Sequence, residues 1–185
     1  MAFARKGTKK KKPLGEAELY TYAVKALGRQ MRTEVELRRL MSARAEAGER
    51  GQATVKAVIA RLKERRYLDD QSYAETFVRL RQENEKLGAR RVRQKLAERG
   101  VPARVAQAAV EARYGGTNEE ALAREHLERK RIEKPTNEKE TARVMRRLVA
   151  AGFSTGTIYK VLRKWDVPDE ELAALDEVDG ETREE

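Results

Sequence analysis

The sequence predicts an all-α protein built from three tandem three-helix repeats, helix-turn-helix-like units forming an elongated curved array, with a flexible basic N-terminal arm and an acidic C-terminal tail. Three observations lead there. Apolar residues recur at i, i+3, i+4 and i+7 through the body of the chain, and no alternating stretch is long enough for a strand. Cap residues and glycines punctuate that pattern at helical lengths. One run of apolar positions returns 52 residues later, a period in the range of stacked helical repeats.

Residues 1–15 are basic, broken by Gly and Pro and almost without apolar side chains, and read as a disordered arm. A first helix is expected over residues 16–28, with Leu19, Ala23, Ala26 and Leu27 inward. Thr33 with Glu36 is a capping-box pattern that opens a second helix through Leu37, Leu40 and Met41. The segment AGERG at 47–51 breaks it, and a third helix follows to Arg65 with Val55, Val58, Ile59 and Leu62 on one stripe. A tyrosine-leucine corner at Tyr67 and Leu68 precedes the next helix, where an apolar residue can pack back on the first turn. Asp69 or Asp70 is placed to cap that helix, and both charges favour its positive end. Its inward stripe is expected to hold Tyr73, Ala74, Phe77, Val78 and Leu80.

The order then repeats, with helices expected at 71–86, 88–99 and 103–113 and, after Gly115 and Gly116, at 118–133, 138–151 and 154–165. Thr117 with Glu120 reads as another capping box, and Asn137 opens the penultimate helix with Glu140 three residues on. The last two cycles align without gaps: Val92, Leu96, Gly100 and Val101 with Val144, Leu148, Gly152 and Phe153, then Ala106, Ala109 and Val110 with Ile158, Val161 and Leu162. Both glycines stand where a left-handed helix cap is expected. The divisions are thus 1–15 (arm), 16–68, 69–116 and 117–165 (repeats) and 166–185 (tail).

Charged residues make up 39% of the 185 and aromatics 5%, with mean hydropathy −0.83, a composition suited to thin helical units burying one stripe each. The net charge of +10 is uneven: residues 1–12 carry six bases and no acid, residues 166–185 ten acids and one base. A basic body between these ends implies a polyanionic partner or an acidic protein groove, and the tail is a candidate competitor for that partner, folding on the body. The absence of cysteine excludes disulfides and thiolate metal sites. No apolar run approaches the roughly 20 residues of a membrane span, and the arm lacks the apolar core of a secretory signal, so a cytoplasmic protein without membrane contact is expected.

No catalytic, cofactor or metal site emerges. Asp69 and Asp70 are adjacent at a helix start, which suits capping rather than convergence on a metal. His126 is the one histidine, on an arginine-rich helix, where a surface or packing role fits. Gly152 and Gly156 lack the Lys-Ser/Thr that would follow in a phosphate loop. Tyr67, Tyr73, Phe77, Phe153 and Trp165 occupy stripe or junction positions, where packing is favoured over base stacking; Tyr20, Tyr22, Tyr114 and Tyr159 are undetermined. The basic residues carry more information. With Val92 and Leu96 inward, Arg90 points away from the core and Arg91 and Arg93 flank it, a positive face without an acid at i+4. Arg38, Arg39, Lys95, Arg143, Arg146, Arg147, Lys160, Arg163 and Lys164 complete the candidate partner-binding set.

The spacing Leu62-x4-Tyr67-Leu68-Asp69-Asp70-x2-Tyr73-Ala74-x2-Phe77-Val78-x2-Arg81 resembles the signature of the RecX regulators of bacterial RecA recombinase. The Tyr22-Ala23 helix, the segment TEVELRRL at 33–40 and GARRVRQKLAERGV at 88–101 are similar to that family too, so the resemblance runs from about residue 18 to 165. The connection at 43–51 is longer than the tight turn expected there. The resemblance implies a non-enzymatic regulator that binds RecA, lodges along the groove of its filament on single-stranded DNA, and suppresses strand exchange, ATP hydrolysis and co-protease activity; a monomer is expected. It also implies some direct DNA binding, and it supplies no binding motif to transfer residue by residue. Beside it stands a second reading: a helical protein that binds single- or double-stranded DNA through phosphate contacts, steeply dependent on salt. No helix aligns Asn, Gln and Arg for base edges, so sequence-specific reading is disfavoured.

Overall fold

A computed structural model describes residues 12–168, and these are helical throughout, with no strand among them. The expected arm and tail fall on residues 1–11 and 169–185 for the most part and lie outside the described residues. The helices are α1 (Glu16–Arg29), α2 (Glu34–Ser42), α3 (Glu49–Glu64), α4 (Asp70–Glu85), α5 (Ala89–Glu98), α6 (Ala103–Tyr114), α7 (Glu119–Arg129), α8 (Glu138–Ala151) and α9 (Thr155–Arg163). They follow one another as three groups of three. Contacts divide the chain into two compact units: one holds residues up to Tyr73 together with Arg99–Val101, the other holds Ala74–Glu98 and the residues from Pro102 onward.

In the first unit α1, α2 and α3 enclose Leu19, Ala23, Leu37, Met41, Val55, Val58, Ile59, Leu62 and Leu68, all buried. Burying each large aliphatic side chain contributes roughly 1.5–3 kcal/mol. Ala26 and Leu27 pack against this cluster half-buried. Thr33 caps α2 as expected: its hydroxyl accepts from the Glu36 N–H at 3.1 Å, and the Glu36 carboxylate accepts from the Thr33 N–H at 3.3 Å. Arginines roof the first helix, with the Arg61 guanidinium 4.4 Å from the centre of the Tyr20 ring and that of Arg44 5.7 Å from Tyr22.

The break before α3 is shorter than AGERG suggests. Gly48, at φ 84°, ends the connection, and Glu49–Gly51 already form the first turn of α3. Gly51 is buried there, and a Cβ on it would lie 1.7 Å from the Glu46 carbonyl oxygen, so its lack of a side chain serves packing rather than helix termination.

The two aspartates of the corner do different work. Asp69 caps α4: its carboxylate accepts from the N–H groups of Gln71 at 2.8 Å and Ser72 at 3.3 Å and from the Ser72 hydroxyl at 2.8 Å. These bonds, the hydroxyl first, hold its carboxyl below the ordinary range. Asp70 instead reaches the backbone N–H of Glu34, 2.8 Å away at the start of α2, and satisfies a free donor of that helix. Burial raises its carboxyl above the ordinary range.

In the second unit Val92, Leu96, Ala106, Ala109, Val110, Val144, Leu148, Phe153, Ile158, Val161 and Leu162 are buried, so every aligned apolar pair found there faces a core; Val101, buried in the first unit, completes the set. Phe77, Ala74 and Val78 are buried, whereas Leu80 is 41% exposed: it stands at the edge of the stripe, on the side of Tyr73 away from Ala74 and Val78. The Arg81 guanidinium sits 4.6 Å from the centre of the Phe77 ring and pairs with Glu85. Asn118, not Thr117, caps α7, accepting from the Ala121 N–H at 3.1 Å; the Thr117 hydroxyl instead joins Arg113 and Gln82. Asn137 caps α8 by accepting from Glu140 at 3.0 Å, and the Glu140 carboxylate turns back to Thr136. Helix α7 ends four residues before the expected limit because Arg131, at φ 53°, closes it in a left-handed turn, with the Ile132 N–H bonded to the Leu127 carbonyl at 2.9 Å. Tyr114 is anchored by donating to the Leu87 carbonyl at 2.7 Å. His126 is buried, its Nδ1 3.0 Å from the Glu85 carbonyl oxygen and its ring edge-on to Phe153.

Two measurements check this account. Asp70→Ala should cost about 1 kcal/mol at neutral pH in urea melts, whereas Asp70→Asn, which keeps an acceptor, should cost less. Because the native carboxyl of Asp70 is harder to ionise than the unfolded one, Asp70→Asn should also remove a loss of stability that sets in as pH rises above 3.8. Burial lowers the His126 pKa below 6.5, so the unfolded chain binds the extra proton. Stability should therefore fall as pH drops below that value, and the slope should flatten in His126→Gln.

Candidate partner-binding surface

The scaffold around the candidate residues rests on one joint used twice. Gly100 and Gly152, 52 positions apart, follow α5 and α8 at φ 77° and 91°. In the first unit a Cβ on Gly100 would lie 2.7 Å from the Val35 side chain in the opening turn of α2, and the Thr33 hydroxyl donates to the Arg99 carbonyl at 2.7 Å. In the second unit a Cβ on Gly152 would lie 2.3 Å from the backbone nitrogen of Arg91 in the opening turn of α5, and the Gly88 N–H donates to the Ala151 carbonyl at 2.9 Å. In the second unit the carboxyl end of α8 thus meets the amino end of α5, and opposite ends of the helix dipoles face each other. The left-handed cap expected of these glycines is present, and close approach gives a second reason for them.

This joint splits the arginine trio of α5. The Arg90 side chain donates from Nη2 to the Val149 carbonyl at 2.9 Å, placing a cation on the carboxyl end of α8. Arg91 is half-buried with its backbone against Gly152, and its guanidinium donates to Gln94 at 2.9 Å. Arg93 alone of the three is exposed without a hydrogen bond or ion pair to any described residue. Arg90 and Arg91 thus take part in the joint, while Arg93 stands outside it.

The other candidates divide the same way. Arg38 pairs with Glu34 at 2.5 Å, and Lys63 pairs with the same carboxylate at 2.5 Å, holding that carboxyl below the ordinary range. Lys164 pairs with Glu120 at 2.5 Å, and Lys95 and Arg163 also have partners. Arg39 in the first unit and Arg143, Arg146, Arg147 and Lys160 in the second are exposed with no hydrogen bond or ion pair to a described residue. Arg143 and Arg147 line one concavity of about 330 Å³ with Arg131, Lys134, Ile132 and Val144.

Of the signature residues, Leu62, Leu68, Tyr73, Ala74 and Phe77 are buried and Asp69 and Asp70 are caps, but Tyr67 is 54% exposed. Leu68 is buried with the core of α1, α2 and α3, and Tyr67 lines a concavity of the first unit with Met31, Arg32, Arg66 and Ser72. Sequence reasoning missed Met31, although an apolar residue alone in a polar connection is the kind of signal that marks an exposed contact. The described residues contain no group of three or more His, Asp or Glu placed to hold a metal ion, and no described helix is long and apolar enough to cross a membrane.

Comparison with known proteins finds likenesses in one domain and in the fold. Residues 69–110 match the family model described as the second three-helix domain of RecX. The fold is similar to the crystal structure of RecX from Lactobacillus salivarius, with TM-score 0.62 and 21% identity over 82% of this chain and 96% of that one. A crystal structure of regulatory protein RecX is similar at TM-score 0.66 and 21% identity, over 80% of this chain and 71% of that one. No curated protein matches by sequence.

If the joint uses Arg90 and leaves the others outside it, alanine scanning separates them. Arg90→Ala should lose about 0.5–1.5 kcal/mol of stability, the worth of one hydrogen bond, while Arg93→Ala and Arg146→Ala leave the melting curve unchanged.

Proposed function

We propose that the chain is a RecX-type protein that regulates a RecA recombinase by binding RecA and its filament on single-stranded DNA, a reading supported by the match of residues 69–110 to the second RecX domain and by the shared fold. The match of residues 69–110 to the RecX domain carries this reading. In it the protein is a cytoplasmic monomer without catalytic activity, and it suppresses strand exchange, ATP hydrolysis and co-protease activity by blocking filament growth or favouring disassembly. The exposed cations Arg39, Arg93, Arg143, Arg146, Arg147 and Lys160 suit an acidic protein groove with DNA close by, since guanidinium groups grip carboxylates and phosphates alike. Arg38, Arg90, Arg91, Lys95, Arg163 and Lys164 support that surface through the contacts they already make. A regulator of this kind acts by binding one filament state better than another, and it shifts the equilibrium only by that difference in affinity.

The same exposed cations and the net charge of +10 favour a second reading, a DNA-binding protein that acts through phosphate contacts. RecA's ATPase on single-stranded DNA, with this protein titrated in at two salt concentrations, separates them. Inhibition well below the RecA concentration that survives moderate salt is the expected result, and Arg93→Glu with Arg146→Glu should weaken it. Inhibition only in proportion to coated DNA, lost as salt rises, would replace the regulator reading with competition for DNA.

A further inference from the structure

We propose that the acidic segment 169–185 docks in the basic concavity between the α7–α8 connection and α8, where it covers Arg143 and Arg147. The walls of that site are Arg131, Lys134, Arg143 and Arg147, with Ile132 and Val144 at its apolar part and Glu133 and Glu140 as its acids. Arg131, Arg143 and Arg147 make no ion pair within contact distance of any described carboxylate, and with Lys134 these four cations outnumber the two acids of the lining, Glu133 and Glu140, the second of which is drawn toward Thr136. The chain delivers a counter-charge to the rim. Beyond α9, Val167 is buried and Asp166 pairs with Lys134 at 2.8 Å, so the backbone reaches the last described residue beside the site.

Residues 169–185 then carry nine acids and one base, with Leu172, Leu175 and Val178 spaced three apart. Acidic groups suit the guanidinium wall, and the spaced aliphatic residues suit Ile132 and Val144. From Asp166, ten residues of extended chain span roughly 33 Å at most, so the segment around Asp176 has ample reach. Because the segment is tethered, even weak charge pairing acts at a high effective concentration, and salt weakens it. Other basic surfaces offer less: the arginines of α5 are partly committed to the joint, and Glu34 already holds two cations. Docking does not rest on the RecA reading. Its consequence for a partner that needs Arg143 and Arg147 is competition, released when the partner or salt displaces the segment.

The chain has no cysteine, which permits a clean test on the full-length protein. With a spin label on Asp176→Cys, amide resonances of Ile132, Val144 and Arg147 should be attenuated several-fold more than those of Val92 and Ala112. The attenuation should fade in high salt and in a background of Arg143→Glu with Arg147→Glu, both exposed positions. Attenuation spread evenly over the chain, centred elsewhere, or indifferent to both charge reversal and salt would overturn the proposal. No RecA is present, so this outcome and that of the ATPase titration are independent.

Discussion

The helix-end joint at Gly100 and Gly152 is the constraint on which the rest depends. At each, a backbone comes so close to the opening turn of another helix that a single methyl group would overlap it. Close approach lets the Thr33 hydroxyl bond the Arg99 carbonyl and the Gly88 N–H bond the Ala151 carbonyl, and between α8 and α5 it brings opposite dipole ends together. Thin units with one apolar stripe each gain from such a contact what a small core cannot supply. The apolar residues after each glycine, Val101 and Phe153, are buried, so the turn that makes the approach possible also returns the chain to a core.

Charge is distributed by the same logic. Carboxylates near helix starts are occupied: Asp69 and Glu36 cap their own helices, Asp70 caps another, and Glu119 holds Ser154 and Thr157 at the start of α9. Some arginines serve helix ends or aromatic faces, as Arg90, Arg61 and Arg81 do. What remains is a subset of cations, Arg93, Arg143, Arg146 and Arg147 among them, that the described fold does not use. Net charge alone overstates the surface available to a partner, because part of it is spent inside the scaffold.

Much of the fold was legible because helical periodicity is a local property. Helix α8 was expected at its observed limits, and the aligned positions of the last two repeats are buried at every apolar site. What failed was non-local. Nothing near Asp70 indicates that its acceptor is used 36 residues away, and nothing near Arg90 points to a carbonyl 59 residues on. Tyr67 and Leu68 are adjacent apolar residues before α4, and only the tertiary packing decides that Leu68 is the one buried. Gly51 looked like a helix breaker because its close neighbour, the Glu46 carbonyl, depends on the path of the loop. The candidate cations could be named from sequence, but sorting those with partners from those without required the fold.

The joint also gives the 52-residue interval a geometric meaning. An α-helix turns by about 100° per residue, so one residue added within α5 or α8 would swing the following glycine away from the turn it must meet. The interval is in that sense a gauge length, set by the path from one helix end to the next seat. Length change is absorbed where no seat depends on it, as in the connection before α3. A chain of such units can therefore vary its loops and its surface charge widely while the spacing of its two glycines stays fixed.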